Sequence, residues 1–258
     1  MTCATDPILV ADGDGIRSVV LNRAGKANAL SADMLDSLRQ AVESAPRDGA
    51  ALVVLRSASP TLFCAGGDID EFAQGPVALA RQGAGLCRLM EALARCPLPV
   101  LAEARGKAAG AGVILLAMTD LVVAADDLAL SCPEIAFNMY PVMVQVALET
   151  KIGAARARQL CLSGQALDAA AARDLGLVTD IVAAGDFASL AGARVAYYAA
   201  RREALAIARR ARLRMEPPEA MARRIEALEP LMHENFNRPG VQDTVRDYLA
   251  GLRLKRAG

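Results

Sequence analysis

The sequence has no tryptophan, aromatic residues make up 3% of it, and it holds a single histidine, His233. One histidine excludes a multi-histidine metal site, and a Ser-His or Cys-His pair would need His233 as its base. That residue sits in the charged helical stretch PLMHENF, where a solvent-facing or packed role is the simpler expectation. An excess of charge is also missing: 29 Lys and Arg face 29 Asp and Glu, which argues against nucleic acid or a membrane surface as partner. Long hydrophobic runs are absent too. The longest, Val113 to Met118, meets Asp120 too soon to span a bilayer, and the opening residues MTCATDPILVADGDG lack the basic and apolar regions of a signal peptide. A soluble, cytoplasmic protein is expected. The six cysteines, Cys3, Cys64, Cys87, Cys96, Cys132 and Cys161, include no C-x-x-C pair, which suits reduced, buried thiols rather than a disulfide framework or a zinc knuckle. No metal site is expected.

What is present is an alternation of strand and helix signals along 258 residues, enough for one large domain or a main domain with an appendage. Asp12-Gly13-Asp14-Gly15 reads as a hairpin turn into a strand from Ile16 to Leu21; a calcium loop would need later ligands and a closing glutamate that are missing. Ser31 is placed to cap a helix running to about Ala45, Ala51 to Arg56 is a strand, and Pro76 opens a helix that ends before Pro97. Strands follow at Leu98 to Ala102, Leu121 to Ala125 and Leu128 to Ser131, a helix from about Val142, and a helix capped by Asp168 before the strand Leu177 to Val182. From Phe187 the pattern is helical, with Gly185 a candidate hinge, Pro217-Pro218 a break, and the pairs Arg201-Arg202, Arg209-Arg210 and Arg223-Arg224 read as solvated or intersubunit faces. The fold class is α/β with an all-helical C-terminal part.

Three segments carry chemistry. In Phe63-Cys64-Ala65-Gly66-Gly67-Asp68-Ile69, paired glycines would free the Gly67 N–H to approach a ligand, although a tight turn with an N-capping Asp68 is the simpler explanation of this segment taken alone. Gly110-Ala111-Gly112-Val113-Ile114-Leu115-Leu116-Ala117-Met118 fails as a phosphate loop, because Leu101 stands where the first glycine belongs and Ala108 where Ser or Thr belongs. It is a weak dinucleotide fingerprint, with Leu115 at the third glycine. A helix start there would still present unpaired N–H groups to an anionic oxygen. In Ser131-Cys132-Pro133-Glu134-Ile135-Ala136-Phe137-Asn138-Met139-Tyr140-Pro141, Glu134 sits alone among apolar neighbours, where desolvation raises a carboxyl toward the range of a proton shuttle. A buried structural glutamate is the alternative.

In order and spacing from about Ile16 to Val182, the series LNRAGKANALS, FCAGGDIDEF, PVLAEARGKAAGAGVILLAMTDLVVAA, PEIAFNMYP and LCLSGQALDAAAARDLGLVTDIV closely resembles the enoyl-CoA hydratase/isomerase family, the crotonase superfamily. The resemblance implies a crotonase-like core of repeated ββα units over residues 1–185, binding a coenzyme A thioester, with a helical trimerisation region over 186–258. It implies a homotrimer or a dimer of trimers, and no cofactor beyond the coenzyme A that belongs to the substrate. By motif position the backbone N–H groups that hold the thioester oxygen fall on Gly67 and Ala111. The coenzyme A contacts fall on Lys26 and Ala27 in GKANAL and on Ala65, Asp68 and Ile69 in CAGGDI. A lysine near the C-terminus of a neighbouring subunit also reaches coenzyme A in family members; here YLAGLRLKR puts Gly251 near that position, with Arg253 and Lys255 beyond it.

The departure from the family pattern is equally specific. Family hydratases use two glutamates, one on the helix after the second N–H donor and one in the PE motif; the first position here is Ile114, and the second is Glu134. Adding water suits paired carboxylates, whereas moving a double bond needs one base that removes a proton and returns it two carbons away. The expected activity is therefore isomerisation of 3-enoyl-CoA to 2-enoyl-CoA with Glu134 as acid and base. The rivals are hydration by Glu134 alone or helped by Glu103, Asp68 or Tyr140, and an acyl-CoA-binding protein without catalysis. A serine peptidase of the related ClpP-like fold is disfavoured, since His233 lies outside the matched core and no serine occupies a nucleophile elbow.

Overall fold

A computed structural model describes residues 6–257, with side chains through residue 251. The chain opens with a hairpin of β1 (Ile8–Gly13) and β2 (Ile16–Leu21), paired antiparallel from Ile8↔Leu21 to Gly13↔Ile16. Asp14 at φ +53° and Gly15 at φ +76° both take the left-handed conformation that a two-residue hairpin turn needs, so the Asp-Gly signal formed the expected turn. Ser31 accepts a hydrogen bond from Met34 N at 3.3 Å as the N-cap of α1 (Ala32–Ser44). Met34, Leu35, Leu38, Ala41 and Val42 form the buried stripe of that helix.

Three ββα turns follow. β3 (Leu52–Ser57) and β4 (Leu62–Cys64) lead into α2 (Ile69–Phe72) and α3 (Pro76–Arg95). β5 (Val100–Ala104) and β6 (Lys107–Ala109) lead into α4 (Ala111–Ala117). β7 (Leu121–Ala125) and β8 (Ala129–Ser131) lead through a 3₁₀ turn at Pro133–Phe137 into α5 (Val142–Ile152). The first strand of each turn joins a sheet of order β1-β2-β3-β5-β7-β10, and the second joins a sheet of order β4-β6-β8-β9. The remaining core elements are α6 (Ala154–Ser163), β9 (Leu167–Asp168), α7 (Ala169–Asp174), capped by Asp168, and β10 (Asp180–Val182). This is the repeated ββα architecture that the resemblance implies. The strands expected at Leu98 and Leu177 start later than the apolar runs, at Val100 and Asp180. Pro99 lacks a donor for the ladder, and the N–H groups of Leu177 and Val178 are spent on Ala172 O, closing α7.

Between the two sheets and the helices lies the main core, which includes Leu55, Met90, Ala102, Leu116 and Val122. Every residue of α4 is buried, which explains its uniformly apolar composition: a helix enclosed on all sides has no polar face to show. The opposite face of the larger sheet, with Leu52, Val54, Leu101 and Val123, is covered by α8 (Phe187–Ala199).

The helical tail continues with α9 (Arg202–Met215), α10 (Pro218–Asn237) and α11 (Pro239–Ala257), and the break at Pro217-Pro218 separates α9 from α10 as expected. Gly185 lies in the 3₁₀ turn Ala184–Asp186 that leads into α8. α10 packs on α3 and α5, while α11 packs on α2 and the Pro133–Phe137 turn. One expectation for the tail is corrected. Arg209 is no solvated arginine: it is 2% exposed, and its guanidinium donates to Leu93 O at 2.7 Å, Cys96 O at 2.8 Å and Asp120 Oδ1 at 2.9 Å. The last carbonyls of α3 have no partners within the helix, and Arg209 supplies them from across the chain.

Candidate active site

Two loops form one side of the site. Ala65 N donates to Ala27 O at 3.0 Å, Leu30 N to Gly66 O at 2.8 Å, and Asp68 N to Leu30 O at 3.1 Å. Asn28, fully buried and at φ +51°, locks them: its Oδ1 accepts from Arg23 N at 2.8 Å, and its Nδ2 donates to Ser57 Oγ at 2.8 Å and Phe63 O at 2.9 Å. In this bridge Leu30 bonds the residues flanking Gly67, so the N–H of Gly67 points away from it. Among the described residues that N–H has no acceptor.

The second side is the start of α4. Ala111 is its first residue, so the Ala111 N–H has no partner within the helix. A Cβ built on Gly66 would lie 3.1 Å from Ala109 O and 3.7 Å from Ala111 N, which shows how closely the two donor segments adjoin. Gly112 is set by packing: a Cβ there would come 2.5 Å from Cys64 O, so only glycine lets α4 lie against the end of β4.

Glu134 completes the group. It sits in the Pro133–Phe137 turn, and its Oε1 lies 2.5 Å from where a Cβ of Gly110 would stand. Gly110, at φ +50°, therefore supplies both a left-handed start for α4 and the room for the carboxyl. Although the residue as a whole is half-buried, Glu134 Oε2 is buried without a hydrogen-bond partner, and loss of solvent pushes the carboxyl up to about 7. The loop after it is fixed from α10: Asn235 donates to Tyr140 O at 2.9 Å and accepts from Tyr140 N at 3.3 Å, while Met139 N donates to Glu134 O at 3.1 Å.

These groups face one cavity of about 960 Å³, its open mouth included. Leu35, Phe72, Leu86, Phe137, Met143 and Phe236 give it apolar walls, and Ile114 lies one turn into α4 on the same wall, 1% exposed. Among the described residues Glu134 is the only ionisable side chain lining it. The structure thus brings Gly67, Ala111 and Glu134 together, with Ala65 and Ile69 alongside. Lys26 lies outside that lining, paired with Asp70 at 2.5 Å, and Ala27 takes part through its backbone. Asp68 is buried, caps α2 through Asp70 N at 3.0 Å and pairs with Arg23. Glu103 pairs with Arg56 at 3.1 Å and Tyr140 donates to Gln145; with Asp68, neither stands on the cavity wall. His233 packs beside Gly83 with its Nε2 3.5 Å from Glu229, also off the wall. Gly251 lies in α11, while Cys3 and the side chains of Arg253 and Lys255 fall outside the described residues. Sequence reasoning missed Gln82, the second polar side chain of the cavity; a glutamine inside a helix carries no motif. Asn28 lay within GKANAL and was passed over, although Asn tolerates the left-handed backbone that Ala27 and Asn28 both adopt.

The backbones of Gly67 and Ala111 line one cavity with the desolvated carboxyl of Glu134, an arrangement whose chemistry could hold negative charge on an oxygen while a proton moves nearby. A family model described as enoyl-CoA hydratase/isomerase matches residues 12–251. A probable enoyl-CoA hydratase of Mycobacterium leprae is 35% identical over 182 residues, 70% of each chain. Among solved structures, an enoyl-CoA hydratase of Mycobacterium smegmatis is 29% identical with a TM-score of 0.76, over 96% of this chain and 97% of the other. An enoyl-CoA hydratase of Bacillus halodurans shares the fold at a TM-score of 0.84 and 16% identity, over 94% and 100%. The chain belongs to the enoyl-CoA hydratase/isomerase family, whose members are enzymes acting on acyl-CoA thioesters.

Proposed function

We propose that the protein isomerises 3-enoyl-CoA to 2-enoyl-CoA, with Glu134 as its one acid and base. The thioester oxygen accepts hydrogen bonds from the N–H groups of Gly67 and Ala111. Glu134 removes a proton from the carbon beside the thioester, the electron pair delocalises onto the thioester oxygen, and the same carboxyl returns the proton two carbons further along. Each preorganised donor is worth about 3 kcal/mol to such a charge, and a carboxyl near pH 7 is suited to taking and returning a proton. The observation that carries the reading is Ile114: the helix position where a family hydratase places a carboxylate is a buried, apolar part of the wall. Coenzyme A enters as part of the substrate, and the working form is a cytoplasmic homotrimer or dimer of trimers. Hydration of 2-enoyl-CoA is the second reading, favoured by the hydratase names of the relatives. Initial rates on 3-enoyl-CoA and 2-enoyl-CoA decide between them, with the faster rate expected on 3-enoyl-CoA.

A further inference from the structure

Glu134 owes its place to a segment that the helical tail holds. Asn138 N donates to Ile135 O at 3.0 Å and Met139 N to Glu134 O at 3.1 Å, so the backbone of residues 138–140 and that of Glu134 move as one piece. The far end of that piece is tied to the corner where α10 meets α11. Asn235, 8% exposed, accepts from Tyr140 N at 3.3 Å and donates to Tyr140 O at 2.9 Å. Arg238 donates to Asn138 O and, at 3.1 Å, to Asn235 Oδ1, and its Nε donates to Asn235 O at 3.3 Å. On α11, Tyr248 stands edge-on to Phe137 with ring centroids 5.1 Å apart. These contacts differ in what they decide. Val142 N also donates to Tyr140 O, at 2.8 Å, but Tyr140 N has no acceptor besides Asn235 among the described residues. A peptide N–H left without an acceptor inside a protein turns to water, and the chain that carries it follows.

We propose that Asn235 is a positioning residue for Glu134: by holding both backbone groups of Tyr140 it keeps the Pro133–Phe137 turn seated, and with it the depth at which the Glu134 carboxyl stands in the cavity. The inference rests on Glu134 as the acid and base of the proposed reaction. It adds that the helical tail, besides walling the cavity with Met232, Phe236 and Val245, governs the state of that base. Burial is the first cause of the raised Glu134 carboxyl. The charged or titratable groups on the elements around the turn are Cys132 before it, Arg158 and Cys161 on α6, Glu149 on α5, the Tyr140 hydroxyl, and Arg238 and Tyr248 on the tail. All of them stand off the cavity wall, and α4 brings none. A turn that loosens therefore lets water in to Glu134 and brings its carboxyl down.

The test follows the Glu134 carboxyl by infrared difference titration, each protein against its own Glu134→Gln form, in wild type, Asn235→Leu and Arg238→Met. Melting temperature and the kcat and KM on 3-enoyl-CoA are measured on the same proteins. Leucine has nearly the shape of asparagine and makes neither bond to Tyr140. Glu134 should titrate near 7 in wild type and about one pH unit or more lower in Asn235→Leu, with kcat down about tenfold or more and KM little changed. Arg238→Met alters an exposed side chain and covers the case in which Asn235→Leu does not fold. It also fixes the sign: losing a positive charge raises a nearby carboxyl, so the downward movement expected there reports position alone. A midpoint that stays near 7 in both variants, one that rises in Arg238→Met, or a lower melting temperature with midpoint and kcat unchanged would overturn the assignment. A wild-type Glu134 that titrates near its ordinary 4.5 would overturn it too. Failure of wild type to turn over either enoyl-CoA would instead remove the proposed reaction, and the titration would still decide on Asn235.

Discussion

The raised Glu134 carboxyl is a cost to the folded protein, and Glu134→Gln measures it without any substrate. In the unfolded chain this carboxyl titrates near 4.5, and in the folded protein near 7, because burial disfavours its charged form. Below pH 4.5 it is neutral in both states and costs nothing by charge. Between 4.5 and 7 the folded state binds the extra proton, so stability falls as pH rises, and above pH 7 the full penalty of about 3 kcal/mol is in place. Glutamine has nearly the same shape and never ionises. Urea unfolding at a fixed protein concentration should therefore show Glu134→Gln and wild type equally stable near pH 4, and the variant about 3 kcal/mol more stable near pH 8.5. A buried carboxyl that costs stability inside a cavity is the behaviour of a functional group. Parallel stability curves across that range would refute the reasoning, for they would mean that the carboxyl stays solvated or finds a partner when charged.

Two further substitutions test the packing that holds the site. Gly112→Ala would set a methyl 2.5 Å from the carbonyl oxygen of Cys64, with backbone on both sides, and should cost about 2 kcal/mol or more in urea unfolding together with a loss of turnover as Ala111 shifts. Arg209→Met removes the donor to Leu93 O and Cys96 O, while Asp120 keeps Arg212 at 2.8 Å; unfolding should become easier by about 3 kcal/mol, measured the same way.

How much of this was legible in the sequence depended on how local the cause was. The Asp14-Gly15 turn, the Ser31 and Asp168 caps and the Pro76 helix start are set by residues within a few positions, and each formed where expected. The ordered motifs located Gly67, Ala111 and Glu134, which meet only in three dimensions. The smaller sheet was not legible as a sheet, because strands such as Lys107–Ala109 and Leu167–Asp168 are too short to show a period of two. Arg209 was misread because its partners lie 89 to 116 residues upstream, and in a helix rich in arginine nothing local marks the buried one. Gln82 was invisible for the same reason: its importance lies in Leu30, Asp68 and Glu71, brought to it by the two stitched loops.

The most direct measurement is the initial rate of wild type and Glu134→Gln on 3-enoyl-CoA and 2-enoyl-CoA, with butyryl-CoA binding followed in parallel. Wild type should shift the double bond of 3-enoyl-CoA faster than it hydrates 2-enoyl-CoA, and Glu134→Gln should lose about 10²-fold or more of that rate while still binding butyryl-CoA. Faster hydration by wild type, or undiminished isomerisation by Glu134→Gln, would contradict a one-carboxylate isomerase.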